Sequence, residues 1–201
     1  MNLPNKLTIS RLILVIIFAI FAFPYPECMS FMNEGIFGTV KPFIALVIYI
    51  VASITDAVDG HLARKNNLVT DFGKFLDPIA DKLLVTAALL ALCVDNILYL
   101  WACLIILARE FIVSGIRMIA ASKGTVIAAG KLGKLKMIFQ TIAIITLLTA
   151  QIAETVLPKS VDILTDIVYI AGNALMILAV ALTIVSGIEY VWKNRSVLES
   201  K

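Results

Sequence analysis

Residues 40–94 read VKPFIALVIYIVASITDAVDGHLARKNNLVTDFGKFLDPIADKLLVTAALLALCV. Two strongly apolar runs, about 40–58 and 79–94, bracket a polar stretch, and Asp56, Asp59, Asp77 and Asp81 gather where the runs meet it. Each run approaches the ~20 residues that a helix needs to cross ~30 Å of hydrocarbon. The simplest arrangement is a pair of adjacent membrane helices with an acidic connection on one side of the bilayer.

Composition extends that reading to the whole chain. Of 201 residues, 61% are hydrophobic and 15% charged, with a mean hydropathy of +0.99; an average soluble domain is about a quarter charged. Further apolar runs lie at about 9–24, 97–119, 137–157 and 167–190, with Gly, Pro and polar residues mostly between them. An all-α membrane protein of six transmembrane helices is expected, one domain over 1–201 with no room for a separate soluble one. The first run could be a signal peptide, since Lys6 and Arg11 flank its start, but it ends in PYPEC without a small-residue cleavage site and is read as a retained helix. Before it, LPNKLTISRLI is expected to form a short amphipathic helix at the interface, with Asn5 and Arg11 as anchors or at the mouth of a site. Cys28, Cys93 and Cys103 show no metal or disulfide spacing and read as packing residues.

Charge orients the bundle. Of the 17 Lys and Arg, 14 belong to the termini or to connections 59–82 and 117–136; Lys41 and Lys159 lie on the opposite side, and Arg109 sits inside the fourth run. Basic connections stay cytoplasmic, so both termini and the aspartate stretch are expected there. The other side carries Glu27, Glu34, Asp95, Glu154, Asp162 and Asp166.

Asp56 and Asp59 are three apart and Asp77 and Asp81 four apart, so each pair shares a helix face. Acids at the ends of apolar helices carry a cost that solvated loop acids do not. Four converging carboxylates repel unless a cation intervenes. Such hard ligands suit Mg²⁺ or Mn²⁺, and four can hold two ions about 4 Å apart, which clamps both oxygens of a displacement at phosphorus. On spacing alone, solvated acids remain the alternative. Gly60, Ala63 and Gly73 leave room for a ligand against the backbone, or serve as caps. Arg64 is placed for phosphate oxygens, or as an anchor. His61 reads as a pocket-rim residue and not a ligand.

As spacing, the stretch is Asp56-x2-Asp59-Gly60-x2-Ala63-Arg64-x8-Gly73-x3-Asp77-x3-Asp81. It resembles the signature D-x2-D-G-x2-A-R-x8-9-G-x3-D-x3-D of the CDP-alcohol phosphatidyltransferase family at every defined position. The resemblance implies a six-helix fold, a dimer, and attack of an alcohol hydroxyl on the β-phosphorus of CDP-diacylglycerol with loss of CMP. It also implies that Asp56, Asp59 and Asp77 hold two metal ions, with Asp81 contributing to coordination and accepting the hydroxyl proton. Gly60, Ala63 and Gly73 would line the cytidine pocket, and Arg64 would lie near the diphosphate.

The signature leaves the alcohol open. Arg109 and Glu110 interrupt the fourth run, Arg117 follows on nearly the same face, and Lys131, Lys134 and Lys136 precede the fifth. An intramembrane arginine points to a ligand or a partner, and Glu110 is the available partner. A neutral or cationic acceptor would gain nothing from these bases, whereas an acceptor carrying a phosphate would. The strings AREF with GIR, GKLGKLK and NLPNKLTISR are similar to the branch of the family that uses sn-glycerol 3-phosphate, though Met137 stands where that branch commonly has Thr. The expected partners are therefore CDP-diacylglycerol, sn-glycerol 3-phosphate and the lipids of a bacterial cell membrane, and no nucleic acid. A cardiolipin synthase using phosphatidylglycerol is the alternative within the family. A small cation transporter is the alternative outside it, disfavoured because no repeated halves are visible.

Overall fold

The computed structural model describes residues 3–26, 28–29, 33, 35–66, 71–95, 97–125, 127, 130–156 and 162–195, without the side chains of residues 3–8, 56–66, 71–81 and 162. Among the described residues the chain is all helical: α1 Leu3–Ala22, α2 Gly35–Asn66, α3 Asp71–Val94, α4 Leu100–Ser122, α5 Lys131–Val156 and α6 Asp162–Lys193. Among the described residues three helical segments are long and apolar enough to cross a membrane: Gly35–Thr55, Lys131–Val156 and Ile163–Lys193. Ile9–Ala22 and Lys82–Val94 are shorter apolar segments.

The helices outrun the apolar runs, because hydropathy marks where a helix leaves oil and not where its hydrogen bonding stops. The apolar part of α2 has 21 residues, about 31 Å of helix, and the same helix continues through Asp56 and Asp59 to Asn66, about 16 Å further. At the N-terminus, the separate interfacial helix expected before the first span is absent; α1 is continuous from Leu3 to Ala22. Pro4 is tolerated in the first turn of a helix, and no Gly or Pro follows within α1 to break it. Ile97 and Leu98, expected inside the fourth run, instead form a buried bend whose N–H groups both donate to Leu92 O, at 2.9 and 3.0 Å.

α5 and α6 make the most extensive contact, and α1 packs on both α2 and α3. The core is built from Phe18, Tyr49, Leu89, Leu92, Ile106, Ile144, Leu147, Leu148 and Met176, with the Phe18 and Tyr49 rings tilted at a centroid distance of 5.9 Å. Gly172 brings α6 close to α5: a Cβ there would fall 2.7 Å from Leu147 Cδ2. The outward faces are also apolar. Val47, Val51 and Ile54 on α2 and Ile170, Ile177 and Ile188 on α6 are exposed, as suits a surface covered by lipid chains. Cys28, Cys93 and Cys103 are free thiols.

Polar contacts tie the bundle at the end of α1. Lys41 is buried and donates to the carbonyl of Phe23, just beyond α1, where a cation is favoured by the helix dipole. Gln151 on α5 donates to Asp95 beyond α3 at 2.6 Å.

Candidate active site

The chain's mixed-charge centre lies toward the other end of these helices. The backbones of α4 and α5 stand apart among the described residues. Between them is a cavity of about 540 Å³, walled by α3, α4, the residues before α5, α5 and the last turns of α6. Among the described residues six bases line it, Lys82, Arg109, Arg117, Lys134, Lys136 and Lys193, against two acids, Glu110 and Glu189.

Glu110 is the hub. Its Oε1 accepts from Arg109 Nη1 at 3.0 Å and from Lys136 Nζ at 2.6 Å, and its Oε2 pairs with Lys82. Three helices thus place cations on one carboxylate. A partly buried charge is retained only when paired and hydrogen-bonded, and three cations around one anion leave positive charge for an incoming ligand. Lys136 is 4% exposed, so its ammonium has little recourse to water. Arg109 is fixed on its other side by donation from Nη2 to Ser186 Oγ at 3.2 Å. The helices leave it little space: a Cβ on Gly187 would lie 3.0 Å from Arg109 Cγ, and one on Gly133 3.2 Å from Nη2. Arg117, one face over, donates from Nε to the Tyr190 hydroxyl at 3.3 Å and lies 5.6 Å from the ring centroid. Among the described residues two buried polar atoms in these walls have no partner, Arg109 Nε and Gln140 Oε1.

Of the bases expected to hold an acceptor phosphate, Arg109, Arg117, Lys134 and Lys136 line this one cavity, and Lys131 is exposed and outside its lining. Met137, the departure from the branch pattern, lines it too. Asp56, Asp59, Gly60, Ala63 and Arg64 fall on α2, and Gly73, Asp77 and Asp81 on α3; their side chains lie outside the described residues. Lys82, which immediately follows Asp81, carries α3 into the cavity wall.

Sequence reasoning missed Lys82, Gln140 and the α6 wall. A signal for the last was present: Ser186, Glu189, Tyr190 and Lys193 recur at helical spacing on the final turns of an otherwise apolar helix, a polar stripe that faces the cavity.

The sequence model of the CDP-alcohol phosphatidyltransferase family matches residues 1–185. This chain belongs to that family. The phosphatidyltransferase is 41% identical over 201 residues to the CDP-diacylglycerol–glycerol-3-phosphate 3-phosphatidyltransferase of Bacillus subtilis, covering 99% of this chain and 98% of the relative. It is 37% identical over 190 residues to the protein of the same name from Rickettsia typhi, covering 94% of each. It is also 35% identical over 190 residues to a probable phosphatidylglycerophosphate synthase of Mycobacterium tuberculosis, covering 94% of this chain and 80% of the relative. With its apolar helices, the phosphatidyltransferase is a multi-pass membrane enzyme of phospholipid synthesis.

Proposed function

We propose that the protein transfers the phosphatidyl group of CDP-diacylglycerol to sn-glycerol 3-phosphate, forming phosphatidylglycerophosphate and releasing CMP. The observation that carries the acceptor is the convergence of Arg109, Arg117, Lys134 and Lys136, with Lys82, on one cavity, where Lys82, Arg109 and Lys136 share the Glu110 carboxylate. A phosphate monoester brings up to two negative charges and several acceptor oxygens, which such a set can satisfy and a neutral alcohol cannot. The names of the relatives agree with this acceptor.

In this reading the cationic walls bind and orient the acceptor phosphate, and the acceptor hydroxyl is presented toward the middle of α3, where Asp81 adjoins Lys82. The hydroxyl oxygen forms a bond to the β-phosphorus of the donor, the bond to the CMP oxygen breaks, and Asp81 takes the hydroxyl proton. Position does most of this work, since an ionised aspartate is a weak base. The carboxylates of Asp56, Asp59, Asp77 and Asp81 form a donor set of hard oxygens that fits Mg²⁺ or Mn²⁺. Bound there, the ions would neutralise the diphosphate and the charge that develops on the leaving group. The six helices are read as six spans with both termini and the site on the cytoplasmic face of the cell membrane, supported by the distribution of Lys and Arg.

The test is purified protein with CDP-diacylglycerol, Mg²⁺ and either sn-glycerol 3-phosphate or phosphatidylglycerol. CMP release with the first is expected. Release only with phosphatidylglycerol would overturn the assignment.

A further inference from the structure

Charge explains how the cavity holds a phosphate, but not how it reads the rest of the acceptor. Gln140 lies four residues after Lys136 on α5, on the same helix face and about 6 Å further along the axis. It is 3% exposed, lines the cavity, and its Oε1 has no hydrogen-bond partner among the described residues. Beyond it on α5, Ala143 and Ile144 belong to the core. The side chain is therefore a polar amide set at the inner limit of a cationic pocket, one turn from the nearest buried ammonium. Burying an amide without a partner is costly, and native structures keep such groups where a ligand completes them.

We propose that Gln140 is the specificity residue that reads the non-reacting hydroxyl of the polyol-phosphate acceptor. The separation of Lys136 and Gln140 along α5 suits a short carbon chain with a phosphate at one end and a hydroxyl near its middle. The hydroxyl donates to the amide oxygen and can accept from the amide nitrogen, so one group satisfies the orphaned side chain. A site built this way rejects an acceptor that lacks the hydroxyl, because the amide is then left buried and unpaired. The inference rests on the acceptor assignment above and deepens it.

The experiment compares kcat/KM for sn-glycerol 3-phosphate with that for 3-hydroxypropyl phosphate, which keeps the reacting hydroxyl and the phosphate and lacks only the middle hydroxyl. Wild-type protein is expected to prefer glycerol 3-phosphate by about 10- to 100-fold. In Gln140→Met, close in shape but without the amide oxygen and N–H, the loss falls on glycerol 3-phosphate and the ratio closes toward one. Gln140→Asn keeps the amide but withdraws it by a methylene, and the same closing is expected. Turnover of 3-hydroxypropyl phosphate shows that each variant is folded. Wild-type protein indifferent to the hydroxyl, or an unchanged ratio in either active variant, overturns the proposal while leaving the acceptor assignment intact. Wild-type protein inactive with both acceptors overturns the assignment itself, and this inference with it.

Discussion

Lys136 on α5 donates to Glu110 on α4 at 2.6 Å, across a gap between two helices whose backbones stand apart among the described residues. The bridge holds the cavity to a fixed width with a carboxylate that three cations share. Glu110→Gln leaves those cations facing one another. Breaking a buried pair costs about 3–5 kcal/mol, and discounting for a carboxylate that is 22% exposed gives about 2 kcal/mol. For a chain of this size that lowers Tm by about 4–8 °C. Inorganic phosphate, binding the freed cations, should recover more of the midpoint in the variant than in wild type. A thermal-shift titration reads both, and an unchanged midpoint would remove Glu110 as counter-charge.

The bases differ in what they can lose. Lys134→Ala or Arg117→Ala removes a contact proposed to the acceptor phosphate; a charge-assisted contact is worth about 1.5–3 kcal/mol, so KM for glycerol 3-phosphate should rise about 10- to 150-fold with kcat less affected. Lys131, exposed and outside the cavity lining, should give a smaller rise. Steady-state kinetics of the three variants decides the order; equal effects would mean that the cavity is not where the phosphate binds.

What could be read from the chain alone follows from what each signal measures. Apolar runs located the helices, but the ends were misplaced wherever a helix continues through polar residues, as α2 does to Asn66 and α5 does from Lys131. Arg109 and Lys136 stood out because charge inside or beside an apolar run is costly. Gln140 did not, since a single amide in a helix carries no pattern; only the fold shows that it is buried and unpaired. Lys82 was hidden by the aspartates beside it and counted merely as positive-inside charge.

Two glycines separate positioning from stability. Gly187→Ala puts a Cβ 3.0 Å from Arg109 Cγ, so the Arg109 side chain must give by a few tenths of an ångström, which disturbs its bonds to Ser186 and Glu110, and KM for the acceptor should rise several-fold. Gly172→Ala forces a Cβ to 2.7 Å from Leu147 at the α5–α6 contact. Such overpacking costs about 1–3 kcal/mol and should lower Tm without altering KM. Matched kinetic and melting measurements test the contrast, and a KM effect in Gly172→Ala alone would reverse it.

Asp95 gives a pH signature. Burial holds its carboxyl above the usual carboxylate range, against the hydrogen bond from Gln151 and the charge of Lys41, which pull the other way. The folded state therefore favours the protonated acid. That contribution is present below the ordinary carboxylate value of about 3.9 and is lost as pH rises through the folded value. Asp95→Asn keeps an acceptor for Gln151 and cannot ionise, so its Tm should exceed that of wild type at neutral pH and match it in acid. Equal midpoints at both pH values would contradict the argument.

In the proposed mechanism the carboxylates of α2 and α3 carry the chemistry, and the sharpest separation is between Asp59 and Asp81. Asp59→Asn removes a charged oxygen from the donor set proposed for the metals, while Asp81→Asn removes both a ligand and the proton acceptor. Both are close to isosteric, so the fold should persist and Tm change little. Turnover should fall by about 100- to 10,000-fold in Asp81→Asn, the range of a positioned general base. Raising the Mg²⁺ concentration should recover part of the activity in Asp59→Asn, where affinity is the main loss, and none in Asp81→Asn. CMP release assayed across a Mg²⁺ series distinguishes them, and full activity in Asp81→Asn at any concentration would refute its role as base.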